Sequence, residues 1–585
     1  MRILLTHPED DAEKGPWSSQ PWDRIVDLGR GGENTYARWN RQFQCPVTNM
    51  DAMRNGLDDF RRARQVLGVG CGRLIDEHGL DWWEIMSILL DGELEALILL
   101  QRFAHTLGSE DKVYVSRPGL HASLLECLLG KRVEVFTPRW GARKGRLGHY
   151  VRVSNRLSTP QIIDVVCDKY DSGYQFRGRL ARRRQPSPRP VVLLPTAYIN
   201  VSRTGVAYAN TFPEEDFLLV ATRRSGWVKD PPRNVATAWL SSYAAVHGES
   251  AEYGDLESRW RSLLNEMAGG AEFEILDRLG YLNDFPRRFR HGLEVRDAWL
   301  NVLDHEPVQG VLCADDSNPY TRIPLLLARS RGLVNISCHH GALDCYYIFK
   351  RSYGDVIWVK GKMEQDYLVR SCGVPQEKVE IGAPALLANR NGWEGSNPET
   401  FRPHILFISE AYDAYGGRPE GIYGDILPQL ADLALATGRE LIVKLHPGES
   451  ERERRGMVDR VLSAEQKAAT RVVSGALTED LLASVWFGVT ILSTVAMECA
   501  IRGIPCFLCA WLEAWPYGYV EQFIRFGVGI GLKDASEIGN IPRYLERHAA
   551  RADVLDNCWQ PVAPARLKEL LAASQMRCSV AARLA

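Results

Sequence analysis

Short runs of apolar and β-branched residues alternate along the chain with segments of helical length. Most of these runs have no polar face, which is typical of parallel strands that helices cover on both sides. Repeated alternation over 585 residues predicts an α/β protein with doubly wound, Rossmann-like sheets. The predicted strands form two series: 2–6, 24–28, 112–116, 133–136, 191–195, 217–221, 311–314, 334–337, 356–360 and 379–381, and then 404–408, 441–445, 471–473, 489–492, 505–508 and 528–531.

Two segments interrupt the alternation and suggest how the chain is organised. Residues 389–403 are rich in Gly, Asn and Pro, and we interpret them as a linker. It would join an N-terminal domain, 1–388, with an insertion near 138–190, to a C-terminal domain, 404–540. The basic, proline-rich stretch 177–190 is predicted to be a solvated loop, with contact to an anionic acceptor or a membrane surface as the alternative. Residues 541–585 look helical and are predicted to pack back on the N-terminal domain.

Charge and hydropathy exclude several classes of protein. The 71 Lys and Arg residues nearly balance 73 Asp and Glu, so the net charge of −2 offers no overall positive field for nucleic acid. The sequence contains no apolar run of about 18 residues, the length that a membrane-spanning helix needs. Its first residues lack the pattern of a signal peptide. We therefore expect a cytoplasmic protein, with a position at the inner face of the membrane as an alternative.

A glycine-rich stretch from Val66 to Gly72 resembles the cofactor loop of methyltransferases that bind S-adenosylmethionine. Glycines in such a loop let the backbone approach the cofactor closely. The acidic residue expected at the end of the preceding strand is Gly68 here, and residues 51–64 look helical. We predict a structural turn between two helices instead.

The strand predicted at 441–445 leads into His446 and Pro447. Pro447 prevents the strand from continuing. Ligands of open α/β sheets bind beyond the carboxyl ends of the strands, so Lys444 and His446 should lie at that edge. A histidine there can donate a hydrogen bond to a phosphate or a leaving-group oxygen. A purely structural histidine remains the alternative for this motif alone.

A second motif follows the strand predicted at 489–492. Ser493 and Thr494 open a helix, Glu498 lies one turn further on, and Gly503 and Pro505 separate that helix from the next strand. Either hydroxyl residue could cap the helix. The same position offers hydroxyls, free backbone N–H groups and the positive end of a helix dipole, which together can bind phosphate.

A third segment, Ser409 and Glu410 followed by a loop to Gly417, comes after the first strand of this domain. Such a loop would face the cleft between the domains, where Glu410 could contact a donor or its base. A solvated loop acid is the alternative. The aromatic stretch 511–519 follows a late strand and could offer stacking surfaces or pack against the rim of the core.

These motifs follow one another as His-Pro, then Ser-Thr at the start of a helix, then an acidic residue on that helix, and then Gly-x-Pro. This order resembles the donor domain of GT-B glycosyltransferases. The resemblance is to the branch with cytidine-nucleotide donors, which includes Kdo, sialyl and polysialyl transferases and CDP-glycerol glycerophosphotransferases. It implies two Rossmann-like domains facing a central cleft. It also implies that His446, Ser493 and Thr494 bind the donor phosphate, that Pro447 positions the loop and that Glu498 contacts the ribose.

Candidates for a general base lie in the N-terminal part of the chain. Asp315 and Asp316 follow the strand predicted at 311–314, and His339 and His340 follow the next one. An acceptor hydroxyl must lose its proton as it attacks the donor, and each of these four side chains could take it. The glycerophosphotransferases have a functional His-Gly in a comparable place, so the resemblance favours His340. Asp and Asn after a strand also form ordinary turn caps.

These observations predict a metal-independent glycosyltransferase that needs no cofactor beyond a nucleotide-sugar donor. The donor would be a CMP-activated sugar of the Kdo or sialic acid type. The acceptor would be a glycan or glycolipid in surface polysaccharide biosynthesis. Three alternatives stay open: a CDP-glycerol-type glycerophosphotransferase, a UDP-sugar 2-epimerase and a catalytically silent glycan-binding protein of the same fold.

Overall fold

The computed structural model describes residues 1–11, 15–136, 183–244, 251–385, 401–412, 417–475, 477–512, 517–547 and 554–574. Most of the predicted insertion, 138–190, and of the predicted linker, 389–403, lies outside these residues. So do parts of the loop after Glu410 and of the aromatic stretch 511–519. Among the described residues, we find no helix with both the length and the apolar character that a membrane crossing requires.

Eighteen short strands lie within the described residues, and all of their mutual pairings within the three sheets are parallel. They are β1 Arg2–Thr6, β2 Arg24–Asp27, β3 Val47–Asn49, β4 Lys112–Val115, β5 Val133–Val135, β6 Val191–Thr196, β7 Phe217–Ala221, β8 Val235–Trp239, β9 Val308–Cys313, β10 Val334–Cys338, β11 Val356–Val359, β12 Val379–Ile381, β13 His404–Ile408, β14 Glu440–Lys444, β15 Thr470–Val473, β16 Val485–Thr490, β17 Cys506–Cys509 and β18 Ile530–Leu532.

Helices connect most of these strands, as parallel pairing requires. They are Glu33–Phe43, Leu57–Leu67, Trp82–Ser87, Asp91–His105, Leu120–Leu129, Ile199–Thr211, Ala251–Met267, Ala271–Arg278, Phe285–His305, Pro319–Ser330, Lys362–Asp366, Pro419–Ala436, Glu451–Val461, Ala464–Ala468, Glu479–Ala483, Val495–Ile501, Tyr519–Arg525, Ile541–Arg547 and Val554–Cys558. Leu57–Leu67 runs into a short 3-10 turn at Gly68–Gly70, in agreement with the structural turn predicted for residues 66–72.

The strands form three sheets, and each is doubly wound. Their orders are β3-β2-β1-β4-β5, β12-β11-β10-β9-β6-β7-β8 and β15-β14-β13-β16-β17-β18. In each sheet the strand that comes first in the chain (β1, β6 or β13) lies in the interior of the sheet. The next two strands extend the sheet on one side, and the chain then crosses over to build the other side. The predicted α/β class and its winding are therefore confirmed. The number of sheets differs from the prediction, because the first strand series divides into two sheets.

The described chain groups into two compact units. The first comprises residues 1–59, 95–156 and 390–558, and so contains the five-stranded and the six-stranded sheets. The second comprises 60–94, 157–389 and 559–585, and contains the seven-stranded sheet. Residues 1–388, predicted as one domain, are thus shared between both units. Two strands, β3 and β8, were not predicted; β3 has only three residues, and β8 lies half-buried at an edge.

Within the first unit, Arg418 joins the two sheets. It precedes the helix Pro419–Ala436, and its Nε and Nη2 lie 2.8 and 2.7 Å from the two carboxylate oxygens of Asp27, the last residue of β2. Both side chains are buried. Gly32 permits the close packing of this region, because a Cβ there would lie 2.1 Å from Oδ2 of Asp425.

Within the second unit, the end of the described chain packs on the seven-stranded sheet. The indole nitrogen of Trp559 donates to the carbonyl of Pro384 at 2.9 Å, and Arg566 pairs with Glu380 at 2.8 Å. Leu571 contributes to the apolar core of that sheet. The chain therefore returns to the second unit after leaving the first.

Candidate functional site

Three loops lie at the carboxyl edge of the six-stranded sheet, in the first unit. The strand order reverses between β13 and β16, and β14 is the other neighbour of β13. Open α/β sheets bind ligands at this point of reversal. The loop after β14 carries His446, the loop after β13 carries Ser409 and Glu410, and the loop after β16 carries Ser493 and Thr494.

The backbone fixes the tautomer of His446. The N–H of Gly448 donates to Nδ1 of the exposed His446 ring at 3.0 Å. In the neutral ring the proton therefore resides on Nε2, which is a hydrogen-bond donor. Desolvation, followed by the charge of Lys444, lowers the pKa of His446, so the neutral form predominates at neutral pH. The ring can donate a hydrogen bond without carrying a charge.

Glu449 connects the loop after β14 to its surroundings. Its Oε2 accepts from the backbone N–H of His446 at 2.7 Å, and its Oε1 accepts from Ser409 Oγ at 2.9 Å and from Arg454 Nε at 2.7 Å. The Glu449–Arg454 pair is almost completely buried. Burial raises the pKa of Glu449, while Arg454 opposes this shift. We conclude that Glu449 positions the His446 loop; the sequence analysis assigned it no role.

Glu410 connects the loops after β13 and β16. Its Oε1 accepts from Thr490 Oγ1 at 3.1 Å and from the backbone N–H of Leu492 at 2.9 Å. The side chain is buried, and desolvation raises the pKa of Glu410 to about 7. The alternative of a solvated loop acid is therefore wrong. Ser409 is also buried, and its hydroxyl lies 2.8 Å from that of Tyr423. Ser409 and Glu410, which were predicted to contact the nucleotide-sugar donor, therefore hold loops in place.

Ser493 and Thr494 have different local roles at the start of the helix Val495–Ile501. The Ser493 hydroxyl accepts from the N–H of Val495 at 3.3 Å. Thr494 is the capping residue by position, but its side chain makes no capping hydrogen bond, and the residue is exposed. Its hydroxyl is therefore the more accessible of the two. The helix ends as predicted, with Gly503 at a left-handed φ of 64°.

Lys444 and Glu498 provide charge near this edge. Lys444 is buried, and its ammonium donates to the carbonyl of Leu445. Desolvation lowers the pKa of Lys444, while Glu449 and Glu498 oppose the shift. Glu498 lies at an exposed position of the helix Val495–Ile501. The mutual electrostatic effect of Lys444 and Glu498 indicates that the two predicted motifs lie near each other.

The seven-stranded sheet of the second unit has an equivalent point of reversal between β6 and β9. Tyr198 follows β6, Asp315 follows β9 and His340 follows β10. The Tyr198 hydroxyl donates to Asp315 Oδ2 at 2.8 Å, and its ring meets the His340 ring edge-on with centroids 5.3 Å apart. The same topology therefore gathers a second group of polar side chains.

Burial shifts the pKa values of Asp315 and His340 in this group of side chains. Desolvation raises the pKa of Asp315 to about 6, although the Tyr198 hydrogen bond opposes the shift. Desolvation and Lys360 lower the pKa of His340 to about 4, although the carbonyl of Ala314 opposes the shift. At neutral pH, His340 is thus a neutral ring that can accept a proton, and Asp315 is a carboxylate poised near its titration point.

Asp316 differs from its neighbour because it forms a buried ion pair. Its Oδ1 lies 2.6 Å from Lys350 Nζ, and Lys350 also lies 3.5 Å from Asp344 Oδ2. All three side chains are at least 97% buried. Its second oxygen, Oδ2, is buried and has no partner among the described residues, so Asp316 is a poorer candidate for the base than Asp315.

His339 lies deeper than His340. Burial, the neighbouring His340 and two lysines hold its pKa well below the ordinary value. Its Nδ1 is buried and has no partner within the described part of the chain, and its Nε2 is 3.9 Å from Asp344 Oδ2. Lys360 donates to the carbonyls of His339 and Gly341 at 2.5 and 2.6 Å, which fixes the turn after β10. His339 is thus a poorer candidate for a base than His340.

Four important residues were not predicted: Tyr198, Asp344, Lys350 and Glu449. Tyr198 carried a usable signal, because it follows a strongly predicted strand at the carboxyl edge. Glu449 stands three residues after His446, within the motif already considered. Asp344 and Lys350 lie in the irregular segment between β10 and β11, where no strand or helix pattern indicates which way a side chain points.

Comparisons with known proteins give little beyond this geometry. No family model matches the chain, and no curated protein matches it. UDP-GlcNAc 2-epimerase from Methanocaldococcus jannaschii is 9% identical, with 66% of this chain and 99% of that chain covered and a TM-score of 0.39. A variant of the wall teichoic acid polymerase TagF is 12% identical, covers 75% and 100%, and has a TM-score of 0.38. The calicheamicin glycosyltransferase CalG4 is 14% identical, covers 67% and 95%, and has a TM-score of 0.34. Identities and TM-scores as low as these do not assign an activity or a substrate to this chain.

Proposed function

We propose that this protein is a GT-B-type glycosyltransferase that moves a sugar from a CMP-activated donor, of the Kdo or sialic acid type, to a glycan or glycolipid acceptor. The observation that carries the proposal is the fixed Nε2–H tautomer of His446 at the point of reversal of the six-stranded sheet. A neutral donor held there by Gly448 and Glu449 suits the phosphate oxygen of a departing nucleotide.

On the donor side, the leaving phosphate gains negative charge as the bond from its oxygen to the anomeric carbon breaks. His446 donates to this oxygen through Nε2, and the Thr494 hydroxyl can donate to another phosphate oxygen. The buried ammonium of Lys444 adds a positive charge behind the loop. Glu449 and Glu410 contribute by holding the loops that carry these donors.

On the acceptor side, a hydroxyl oxygen attacks the anomeric carbon and gives its proton to a base. His340 is our first choice, because the glycerophosphotransferases that the chain resembles have a functional His-Gly in a comparable place and the residue is only partly buried. Asp315 is the second choice, with Tyr198 as the group that positions it. The bond that forms joins the acceptor oxygen to the sugar, the bond that breaks joins the sugar to the phosphate, and CMP leaves.

A donor panel tests this proposal directly. The protein is incubated with CMP-, CDP- and UDP-activated donors, with and without glycan acceptors, and the released nucleotide is identified by chromatography. We expect acceptor-dependent release of CMP. Release of UDP alone would refute the proposed donor class, release of CDP would indicate glycerophosphotransfer, and sugar epimerisation without an acceptor would indicate an epimerase.

The His446→Ala variant tests the assigned site. Loss of one hydrogen-bond donor to a developing oxyanion typically lowers kcat by about 10²–10³-fold. The matched control is His105→Ala, because His105 is an exposed histidine at the end of the helix Asp91–His105 in the same unit. Normal turnover by a folded His446→Ala protein would contradict the assignment.

A location at the inner face of the membrane and a role in surface polysaccharide assembly belong to the same proposal. A flotation assay with anionic vesicles measures the first. Growth of labelled polysaccharide in the presence of a defined acceptor measures the second.

A further inference from the structure

A narrow polar pocket lies in the second unit, next to the proposed acceptor-side residues. The helices Leu57–Leu67, Trp82–Ser87 and Pro319–Ser330 contribute to its wall, together with the segment 349–351. The residues that line it include the side chains of Arg64, Asp316, Arg322, Lys350 and Arg351 and the backbone of Gly68.

The pocket carries a surplus of positive charge. Arg322 is neutralised by Glu84, at 2.5 Å, and Lys350 by Asp316, at 2.6 Å. The guanidinium groups of Arg64 and Arg351 have no carboxylate partner among the residues that the structure describes. Because Asp344 also lies 3.5 Å from Lys350, the charged groups at and next to the pocket keep one net positive charge.

Gly68 makes room for one of these charges. A Cβ at this position would lie 2.4 Å from Nη2 of Arg351, a separation at which one of the two groups must move. The glycine-rich stretch 66–72, which the proposed transferase chemistry does not use, thus lets a guanidinium approach the backbone. A glycine at position 68 therefore leaves the space that the Arg351 guanidinium occupies.

Two buried polar atoms in the wall also lack partners. Asp316 Oδ2 and Arg322 Nε are both inaccessible to solvent and have no hydrogen-bond partner within the described residues. Both side chains are more than nine-tenths buried. Buried polar groups are normally hydrogen-bonded. Arg322 Nε therefore lacks an acceptor, and Asp316 Oδ2 lacks a donor, in this wall of the pocket.

We propose that this pocket binds a phosphoryl group on the acceptor substrate. A phosphoryl group carries a charge of about −1.5 to −2 at neutral pH and three acceptor oxygens, which suit two guanidinium groups without a carboxylate partner better than a carboxylate does. Arg351 and Arg64 bind its oxygens. The role in acceptor recognition rests on the proposed transferase function, whereas the binding of phosphate does not.

Isothermal titration of the full chain with inorganic phosphate, at constant ionic strength, tests the pocket. Loss of a charge-assisted hydrogen bond should weaken binding by about tenfold or more in Arg351→Gln. Gly68→Ala keeps every charge but displaces the guanidinium, and should weaken binding as well. The matched controls are Arg287→Gln, an exposed arginine paired with Asp284, and Gly92→Ala, where a Cβ meets open space.

The proposed donor site could also bind phosphate, so the same titrations are repeated in the His446→Ala variant. We expect that variant to keep an Arg351-dependent site. Unchanged phosphate affinity in Arg351→Gln, or loss of all phosphate binding in His446→Ala, would overturn the pocket assignment. Acetate that binds as tightly as phosphate would overturn the phosphoryl assignment. An Arg351-dependent phosphate site in a chain that releases no nucleotide from any donor would instead refute the transferase proposal and leave the pocket standing.

Discussion

Glu410 provides a quantitative test of the donor-side geometry. Its pKa is raised from 4.5 to about 7, chiefly by desolvation. Below the unfolded-state value, the carboxyl is protonated in both states. Between the two values only the folded state binds the proton, so the stability that Glu410 contributes falls as pH rises and is lost above about pH 7. A difference of about 2.5 pKa units corresponds to about 3 kcal/mol over this window, as an order of magnitude.

The Glu410→Gln variant isolates this effect, because glutamine resembles the protonated acid in shape and charge. Urea unfolding of the variant and the unchanged protein, followed by tryptophan fluorescence from about pH 4.5 to about pH 8, gives the difference in unfolding free energy. We expect the variant to gain about 3 kcal/mol relative to the unchanged protein as pH rises through this window. Titrating groups that do not interact with Glu410 cancel in the difference.

The matched control is Glu465→Gln, which replaces an exposed acid in the helix Ala464–Ala468 of the same unit. Its difference from the unchanged protein should vary little with pH. A Glu410→Gln difference that is equally flat would refute the reasoning, because it would mean that Glu410 titrates as an ordinary solvated acid.

Three further predictions concern the rest of the molecule. Arg418→Ala leaves Asp27 as a buried charge without its partner and should reduce the stability of the first unit by about 3–5 kcal/mol, as measured by urea unfolding. Tyr198→Phe removes a hydrogen bond that lowers the pKa of Asp315. With Asp315 as the base, the acidic limb of the pH profile of kcat/KM moves to higher pH, whereas with His340 as the base it does not follow Asp315. Gly503→Ala places a side chain at a φ of 64° and should cost about 1 kcal/mol in thermal unfolding.

Each of these has a control or a contrary outcome. Arg460→Ala breaks the exposed pair with Glu420 and should cost at most about 1 kcal/mol, so an equal loss in both arginine variants would contradict the role of Arg418. Gly456→Ala adds a methyl group within a regular helix and should not destabilise the protein. An unchanged acidic limb in Tyr198→Phe would exclude Asp315 as the base and favour His340.

The sequence alone determined much of the local structure and the position of the candidate residues. Strands such as Arg2–Thr6, Phe217–Ala221 and His404–Ile408 coincide with their predicted bounds. This success has a simple cause: a parallel strand buried on both faces is a continuous apolar run, and the polar residue that ends it lies at the carboxyl edge. His446 and His340 were located by that rule.

Tertiary structure decided the division into sheets and the chemical state of each side chain. Apolar strands look alike whether they pair with β1 or with β6, so the sequence could not show that the first series forms two sheets. Nor could it show that Glu410 is buried, that Tyr198 contacts Asp315, or that Lys350 neutralises Asp316. Pairing and desolvation depend on residues far apart in the chain, and those neighbours are defined only once the chain has folded.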